Sequence, residues 1–200
     1  MELFRRAQLC GRRGKPQRTQ RVLEFYKNEM KRILIIGSGG AGKTTLANRL
    51  GDLMKIEVIH LDSFYWKPGW VETPKDKWIN IVKELLQRES WIMDGNYTGT
   101  LDLRLAACDT VIFLDISRLA CLWRVIKRKI TYQNKNRPEL ANGCHERVKM
   151  EFVKWIWSYP VQVRPKILKK LEGFSKDRNI FHLKSAKDIE NLVYKIRGEY

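Results

Sequence analysis

The chain has 200 residues, 44% of them hydrophobic, which suits a single domain with a buried core and leaves little room for a second. Its 39 Lys and Arg residues outnumber its 22 Asp and Glu residues, so the formal net charge is +17 at pH 7. Such a charge favours anionic partners: nucleotides, nucleic acid or acidic surfaces. It does not choose among them, or exclude a basic surface that is merely solvated.

The four cysteines are far apart along the chain: Cys10, Cys108, Cys121 and Cys144. Without paired spacing they argue against a disulfide framework and favour a reducing compartment, so we expect a cytoplasmic protein. No apolar run approaches the ~20 residues that cross a bilayer, and the basic N-terminus lacks the apolar segment of a secretory signal. We therefore expect no membrane partner.

Residues 1–29 differ in composition from the rest of the chain. Five arginines fall within the first 18 residues, and little periodic apolar content precedes Val22. Such a segment cannot bury enough apolar surface to offset its ordering entropy. We predict a disordered basic extension over 1–29 and a compact domain over 30–200. The alternative is a basic arm that binds nucleic acid or, in a eukaryotic source, a targeting peptide.

From Arg32 onward, strand-like and helix-like segments alternate. The predicted strands are 32–36, 56–61, 90–93, 110–114 and 179–183. Helices are predicted to start near Lys43 and after Thr73, with Thr73 as N-cap and Pro74 in the first helical position. Further helices are predicted at about 118–131, 145–158, 163–172 and 186–197. This alternation predicts an α/β domain with a doubly wound parallel sheet.

The glycines of RILIIGSGGAGKTTLANRL (32–50) fit two nucleotide-binding patterns. Gly37, Gly39 and Gly42 fit the G-x-G-x-x-G turn of dinucleotide-binding folds, and Asp62 ends the next strand near the place where an acidic residue would meet a ribose. Gly37, Gly42, Lys43 and Thr44 fit the G-x-x-x-x-G-K-[ST] phosphate loop.

Lys43 decides in favour of the phosphate loop. At a helix N-terminus a cation is disfavoured by ~0.3–1 kcal/mol unless an anion is close, and a nucleoside triphosphate supplies that anion. We therefore predict that the chain binds ATP or GTP, with Lys43 bridging the β- and γ-phosphates and Thr44 ligating Mg²⁺. The alternative is a glycine turn with an incidental lysine. The predicted ATP-binding residues are Gly37, Ser38, Gly39, Gly40, Ala41, Gly42, Lys43, Thr44 and Thr45.

Three carboxylates follow apolar runs that end strands: Asp62, Asp94 and Asp115. A magnesium-nucleotide site needs a carboxylate at the end of a neighbouring strand. Periodicity does not rank the three, and each also suits a helix cap or a turn.

Arg124 and Arg128 are spaced i, i+4 in LWRVIKRK, so they share one helix face. Near a phosphate loop, two guanidinium groups can neutralise charge on a phosphoryl group during transfer. The alternative is a solvated basic face. The polar segment that follows, 131–146, is predicted to be a lid that excludes water.

Aromatic residues concentrate in FYWKPGW (64–70) and WIWSYP (155–160). The first group follows Asp62 in a Pro-Gly loop and suits an acceptor pocket that stacks a ring. For the second group we predict core packing, and we interpret His60 as a core histidine.

Several segments together resemble the adenylate-kinase-related family of DNA topology modulation proteins (FlaR-like). They are GSGGAGKTTLANRL, HLDSFYWKPGW, WIMDGNYTGTLDLRL, DTVIFLDISRLACLWRVIKR, RPELANGCHERVKMEFVKWIWSYP and RPKIL. The resemblance covers residues 31–172 well and the final strand and helix loosely.

This resemblance implies a P-loop kinase fold with strand order 2-3-1-4-5 and a mobile lid. It implies that Asp94 lies near magnesium, which Asp94 would bind partly through water, and that Arg124 and Arg128 flank the lid. Asp62 would face an acceptor hydroxyl. The acceptor site that follows from this reading comprises Asp62, Trp66, Asp94, Asn96, Tyr97 and Arg104. DGNYTG stands where adenylate kinases have DGFPR, which argues against AMP as the acceptor.

We therefore expect an ATP- and Mg²⁺-dependent phosphotransferase with catalytic residues Lys43, Asp62, Arg124 and Arg128. Its acceptor would be an unidentified small molecule or nucleotide, either anionic or hydroxyl-bearing. One alternative is a nucleic-acid-binding P-loop NTPase that modulates DNA topology. The other is a nucleotide-sensing module without turnover.

Overall fold

The computed structural model describes residues 23–26, 28–131, 149–174 and 178–198. The strands are β1 Arg32–Gly37, β2 Val58–His60, β3 Trp66–Lys67, β4 Val71–Glu72, β5 Trp91–Asp94, β6 Thr110–Leu114 and β7 Asn179–Leu183. The helices are α1 Lys43–Met54, α2 Leu61–Tyr65, α3 Lys75–Leu85, α4 Leu101–Ala107, α5 Arg118–Thr131, α6 Met150–Gln162, α7 Arg164–Phe174 and α8 Ala186–Arg197. A 3-10 turn covers Thr98–Thr100.

Five strands form a parallel sheet in the order β2-β5-β1-β6-β7. Numbered by their place among the parallel strands alone, this is the order 2-3-1-4-5, so the predicted doubly wound sheet is confirmed. The two remaining strands, β3 and β4, form a separate antiparallel hairpin in which Trp66 pairs with Glu72.

Strand β1 is buried on both faces, which explains its continuous apolar sequence. Ile33 and Ile35 pack in the cluster that contains Leu50 of α1 and Ile196 of α8. Leu34 and Ile36 face the opposite cluster, with residues of α3, α4 and α7. The sheet is therefore the middle layer of three.

The parallel register brings the carboxyl ends of three strands together. His60 at the end of β2 is in register with Asp94 at the end of β5, and Asp94 is in register with Ile35 of β1. The chain leaves β1 toward one side of the sheet and later reaches β6 on the other side. Ligands of open α/β sheets bind at such a switch point, outside the carboxyl ends of the strands.

The predicted capping of α3 is wrong. The helix begins at Lys75, Pro74 takes the cap position, and no side chain caps the helix. The Thr73 hydroxyl instead donates hydrogen bonds to the carbonyl oxygens of Tyr65 (2.7 Å) and Phe64 (3.3 Å). Thr73 thus stabilises the loop that contains the β3–β4 hairpin and does not cap α3.

Part of the predicted N-terminal extension packs with the domain. Residues 23–26 are helical, and Tyr26 is fully buried in the core together with Met30. The packed region therefore starts upstream of the predicted boundary at residue 30. The rest of the prediction, over 1–22, lies outside the described residues.

The predicted lid, 131–146, lies outside the described residues except for Thr131, the last residue of α5. Of the helices that the structure describes, none is long and apolar enough to cross a membrane.

Candidate functional site

A cavity of about 1030 Å³ opens at the carboxyl edge of the sheet. Its walls come from the loop after β1, the ends of β2 and β5, the β3–β4 hairpin, and helices α5 and α6. The cavity therefore lies where the ends of several strands meet the segments that connect them.

The loop after β1 needs glycine where other backbone approaches it closely. A Cβ on Gly37 would lie 2.5 Å from the carbonyl oxygen of Leu114 in β6. A Cβ on Gly40, whose φ is +77°, would lie 2.3 Å from the carbonyl oxygen of Cys121 in α5. The loop is thus held between β6 and α5, and a side chain at either position would displace it.

The predicted ATP-binding residues divide into two groups. Gly39, Gly40, Gly42, Lys43, Thr44 and Thr45 line the cavity, whereas Gly37, Ser38 and Ala41 are buried and do not line it. The second group supports the loop on the side away from the cavity.

Lys43 is the first residue of α1, and its Nζ donates a hydrogen bond to the carbonyl oxygen of Ser38 at 2.9 Å. Desolvation by the surrounding protein lowers the pKa of Lys43, while the negative charges of Asp94 and Asp62 offset part of this effect. The first turn of α1 contains no acidic residue, and no side chain caps it at Gly42. A desolvated ammonium beside an uncapped helix N-terminus fits a phosphate group.

Thr44, Asp94 and His60 form a connected network. The Thr44 hydroxyl donates to Oδ2 of Asp94 at 2.7 Å, and Nδ1 of His60 lies 2.7 Å from Oδ1 of the same carboxylate. The other ring nitrogen of His60 lies 3.0 Å from Oδ1 of Asn48. A hydroxyl and a carboxylate at the edge of a phosphate site are the oxygen ligands that Mg²⁺ prefers, so Thr44 and Asp94 fit that ion.

A closed metal site is absent from the described part of the chain, where no three His, Cys, Asp or Glu side chains cluster suitably. Mg²⁺ commonly takes one or two protein oxygens and completes its shell with water and substrate phosphates, so Thr44 and Asp94 remain sufficient.

Asp115, the third carboxylate considered from the sequence, does not line the cavity. It accepts hydrogen bonds from Nε of Arg164 at 2.8 and 2.9 Å and lies 2.7 Å from Nε2 of His182. Burial raises the pKa of Asp115, but these hydrogen bonds and charges lower it by more, so the pKa lies below its usual value. Asp115 links α7 to β7 and has a structural role.

Asp62 lies in α2, directly after the end of β2, and is oriented by Tyr97. The Tyr97 hydroxyl donates to Oδ1 of Asp62 at 2.6 Å. Burial, followed by the nearby charge of Asp62, raises the pKa of Tyr97 far above its usual value. Tyr97 is therefore a fixed donor at neutral pH that orients the Asp62 carboxylate.

Aromatic side chains surround this carboxylate. The ring of Tyr65 lies 4.6 Å from that of Tyr97, and Trp66 lies 5.3 Å from Trp70, between ring centroids. All four line the cavity. Of the aromatic residues predicted for an acceptor pocket, Tyr65, Trp66 and Trp70 line the cavity and Phe64 does not; that they stack a ring stays a prediction.

Arg124 and Arg128 both line the cavity, one turn apart on α5. Arg124 donates from Nη1 to the carbonyl oxygen of Ala41 at 3.0 Å. The charge of Arg128 contributes to the lowered pKa of Lys43, so the two cations are close. The structure brings both arginines to the phosphate loop, as the sequence predicts.

Arg104 is the one predicted acceptor residue that the structure does not bring to the cavity. Its side chain is fully buried. It donates to three backbone carbonyls of the loop after β5: those of Gly95 (2.9 Å), Thr100 (3.4 Å) and Tyr97. Burial lowers the pKa of Arg104 to about 10, so it remains charged at neutral pH. Arg104 thus does not reach the cavity in which the acceptor was predicted to bind. It supports the loop that contains Asn96 and Tyr97.

Sequence reasoning missed several residues of the site. His60, interpreted as a core residue, lines the cavity. Its position at the end of a strand, beside Asp62, could have indicated this from the sequence. Trp155, predicted to be core, also lines the cavity, together with Phe152, whose ring leaves no room for a Cβ on Gly39. The core prediction is wrong for Trp157, which is 49% exposed beneath the guanidinium of Arg118.

The sequence matches no protein-family model and no curated protein. Among solved structures, the shikimate kinase from Acinetobacter baumannii in complex with shikimate aligns over 87% of this chain and 94% of its own, at 18% identity and a TM-score of 0.50. A gluconokinase from Sinorhizobium meliloti 1021 aligns over 86% and 91% of the two chains, at 12% identity and 0.49. A deoxyadenosine kinase from M. mycoides with bound products aligns over 84% and 99%, at 16% identity and 0.45.

At these identities a structural likeness shows the fold alone. The parallel sheet with flanking helices, the strand order and the likeness to the A. baumannii enzyme show that this chain has a P-loop kinase fold. The resemblance to the DNA topology modulation family gains no support from these comparisons and stays a prediction.

Proposed function

We propose that this protein is an ATP-dependent phosphotransferase that transfers the γ-phosphoryl group of ATP to an acceptor bound in the same cavity. The observation that carries the proposal is the placement of two groups in one cavity. Lys43 lies at an uncapped helix N-terminus, and Asp62, oriented by Tyr97, lies close enough to influence the pKa of Lys43.

The phosphates would be held by the backbone N–H groups of 38–44 and by the Lys43 ammonium. Thr44 and Asp94 would hold Mg²⁺, which neutralises phosphate charge when bound. Arg124 and Arg128 would stabilise the charge that develops on the phosphoryl group, because positioned cations in a desolvated cavity act more strongly than in water.

With a hydroxyl acceptor, the transfer balances as follows. The bond between the γ-phosphorus and the β,γ-bridging oxygen breaks, and a bond forms between that phosphorus and the acceptor oxygen. The hydroxyl proton passes to Asp62. The products are ADP and a phosphate monoester. With a phosphate acceptor no base is needed, and Asp62 is a positioning residue.

The test is a screen with γ-labelled ATP and Mg²⁺ against nucleosides, nucleotides, sugars and hydroxy acids, first with the full chain and then with Lys43→Ala. Loss of one preorganised cation is expected to lower turnover by about 100-fold or more. Lys77→Ala, an exposed lysine on α3 outside the cavity, is the matched control. Transfer that is unchanged in Lys43→Ala refutes the assignment.

The alternative functions give different results in the same experiments. A nucleotide-sensing module binds ATP but shows no transfer with any acceptor. A nucleic-acid-binding NTPase, which would use the net charge of +17 directly, binds duplex DNA with an affinity that falls steeply with the logarithm of the salt concentration.

A further inference from the structure

The cavity has a distinct region around Asp62, which we name the acceptor lobe. It consists of the cavity-lining residues within 62–72 and 95–97. Its charged groups are the carboxylates of Asp62 and Glu72. Among the cavity-lining residues that the structure describes, the cations lie outside the lobe, in the phosphate loop, α5 and the start of α6: Lys43, Arg124, Lys127, Arg128 and Lys149.

A phosphorylated or carboxylated acceptor would place a negative charge in this acidic lobe. Arg104, which the family resemblance implies would hold the acceptor, donates instead to backbone carbonyls behind the lobe. Like charges at short range repel, and solvent screens the half-buried Asp62 less than the exposed Glu72, which accepts a hydrogen bond from Tyr65 at 3.0 Å. The lobe therefore selects against anionic acceptors.

The walls of the lobe are aromatic. Trp66 and Trp70 lie edge to face, and Tyr65 packs against Tyr97. Trp70 has a left-handed backbone with φ of 65°, which is rare for a bulky residue, and its indole lines the cavity. This conformation belongs to the turn between β3 and β4, in which the Trp70 N–H donates to the carbonyl oxygen of Lys67 at 3.0 Å. Flat aromatic faces of this kind bind planar rings by stacking.

The lobe also contains an unsatisfied polar group. In the described part of the chain, the Nδ2 atom of Asn96 is buried and has no hydrogen-bond partner. Asn96 lines the cavity beside Tyr97. A buried amide without a partner is costly, and a ligand atom that pairs with it removes that cost.

We propose that the acceptor is a nucleoside, an uncharged molecule whose planar base stacks in the acceptor lobe and whose sugar hydroxyl reaches Asp62. This inference rests on the proposed function. The base offers flat faces to the tryptophans and a polar edge to Asn96, and the sugar supplies the hydroxyl for Asp62. Transfer would convert the nucleoside to its monophosphate: the β,γ-bridging oxygen leaves with ADP, the hydroxyl oxygen bonds to the γ-phosphorus, and its proton passes to Asp62.

The first experiment measures binding by calorimetry to the full chain with a non-hydrolysable ATP analogue and Mg²⁺ present. The probes are the common ribo- and deoxyribonucleosides, their 5′-monophosphates, and ringless polyols such as glycerol. We expect at least one nucleoside to bind at least tenfold more tightly than both its own monophosphate and the polyols, a difference of about 1.4 kcal/mol.

The second experiment uses Trp70→Gly. This change removes the stacking ring and also relieves the left-handed backbone, so loss of folding is not the expected cause of weaker binding. We expect nucleoside affinity to fall about fivefold or more while the affinity for the ATP analogue stays unchanged. The matched control is Trp123→Leu, because Trp123 is 67% exposed on α5 and does not line the cavity.

A third variant tests the charge argument. Glu72→Gln removes one carboxylate from the lobe and is expected to reduce the difference in binding affinity between a nucleoside and its monophosphate. The inference is overturned if monophosphates bind more tightly than nucleosides, or if the ATP analogue binds and no nucleoside does. In both cases the proposed phosphotransferase function survives. If the ATP analogue itself does not bind, the proposed function fails and the inference fails with it.

Discussion

Replacing Arg104 by Met separates the two roles that have been considered for this residue. The sequence resemblance implies that Arg104 holds the acceptor, whereas the structure buries it completely beneath the loop that follows β5. There it donates to the carbonyl oxygens of Gly95, Tyr97 and Thr100. Met preserves much of the volume but removes all three hydrogen bonds. The carbonyl oxygen of Tyr97 still accepts from the N–H (3.3 Å) and the hydroxyl (3.4 Å) of Thr100, whereas that of Gly95 loses a buried hydrogen bond of 2.9 Å.

The expected loss follows from these three hydrogen bonds. Each contributes a net ~1 kcal/mol, and a buried carbonyl left without a partner costs ~1–3 kcal/mol. We therefore expect Arg104→Met to lower the free energy of unfolding by about 3 kcal/mol or more. For a chain of this size that corresponds to a fall in Tm of roughly 6–12 °C.

Urea denaturation monitored by tryptophan fluorescence measures the loss. The matched control is Arg88→Met, because Arg88 forms an exposed ion pair with Glu57 and its removal is expected to cost less than about 1 kcal/mol. A loss below about 1 kcal/mol in Arg104→Met, accompanied by a higher acceptor KM, would refute the structural role and restore the acceptor role.

Three further changes test other parts of the structure. Tyr97→Phe keeps the ring but removes the donor to Asp62, so kcat is expected to fall about tenfold with little change in stability, and an unchanged kcat in steady-state assays would count against this orienting role. Gly40→Ala is expected to destabilise by about 1–3 kcal/mol and to weaken ATP binding, because its Cβ would meet the backbone of α5. Gly99→Ala, where a Cβ meets open space, is its control in the same denaturation experiment, and equal losses would contradict the packing. The pKa of Asp115 is lowered in the folded state, so its ion pair with Arg164 stabilises the fold above the unfolded pKa of about 3.9. This stabilisation is lost as the pH falls through the folded pKa. Asp115→Asn should thus cost about 1–2 kcal/mol at pH 7 and progressively less below about pH 4, and a loss that does not depend on pH would be inconsistent with this role.

The parts of the structure that sequence predicts well are those fixed by local chemistry. The continuous apolar run of β1 requires burial on both faces, and the loop from Gly37 to Lys43 encodes its turn and its cation in consecutive residues. The bounds of α5, 118–131, follow from its helical period and agree with the structure. The strand order came from the family resemblance and not from the periodicity.

Other features depend on three-dimensional packing that a linear pattern does not fix. The side chains that pack beside each strand end determine whether its carboxylate faces the cavity. Asp115, for example, forms an ion pair with Arg164 of α7. The burial of Arg104 had a readable signal, because Leu101, Arg104 and Leu105 have the i, i+3, i+4 spacing of one helix face and all three are buried. A charged residue on an apolar face indicates a local hydrogen-bonding role before it indicates a ligand.

The most direct test of the central claim is a calorimetric titration of the full chain with Mg·ATP, alongside Mg·GTP and a nicotinamide dinucleotide. We expect saturable binding of a nucleoside triphosphate that weakens at least about tenfold in Lys43→Met, while the dinucleotide gives no heat of binding. Binding of the dinucleotide with no response to either triphosphate would contradict it.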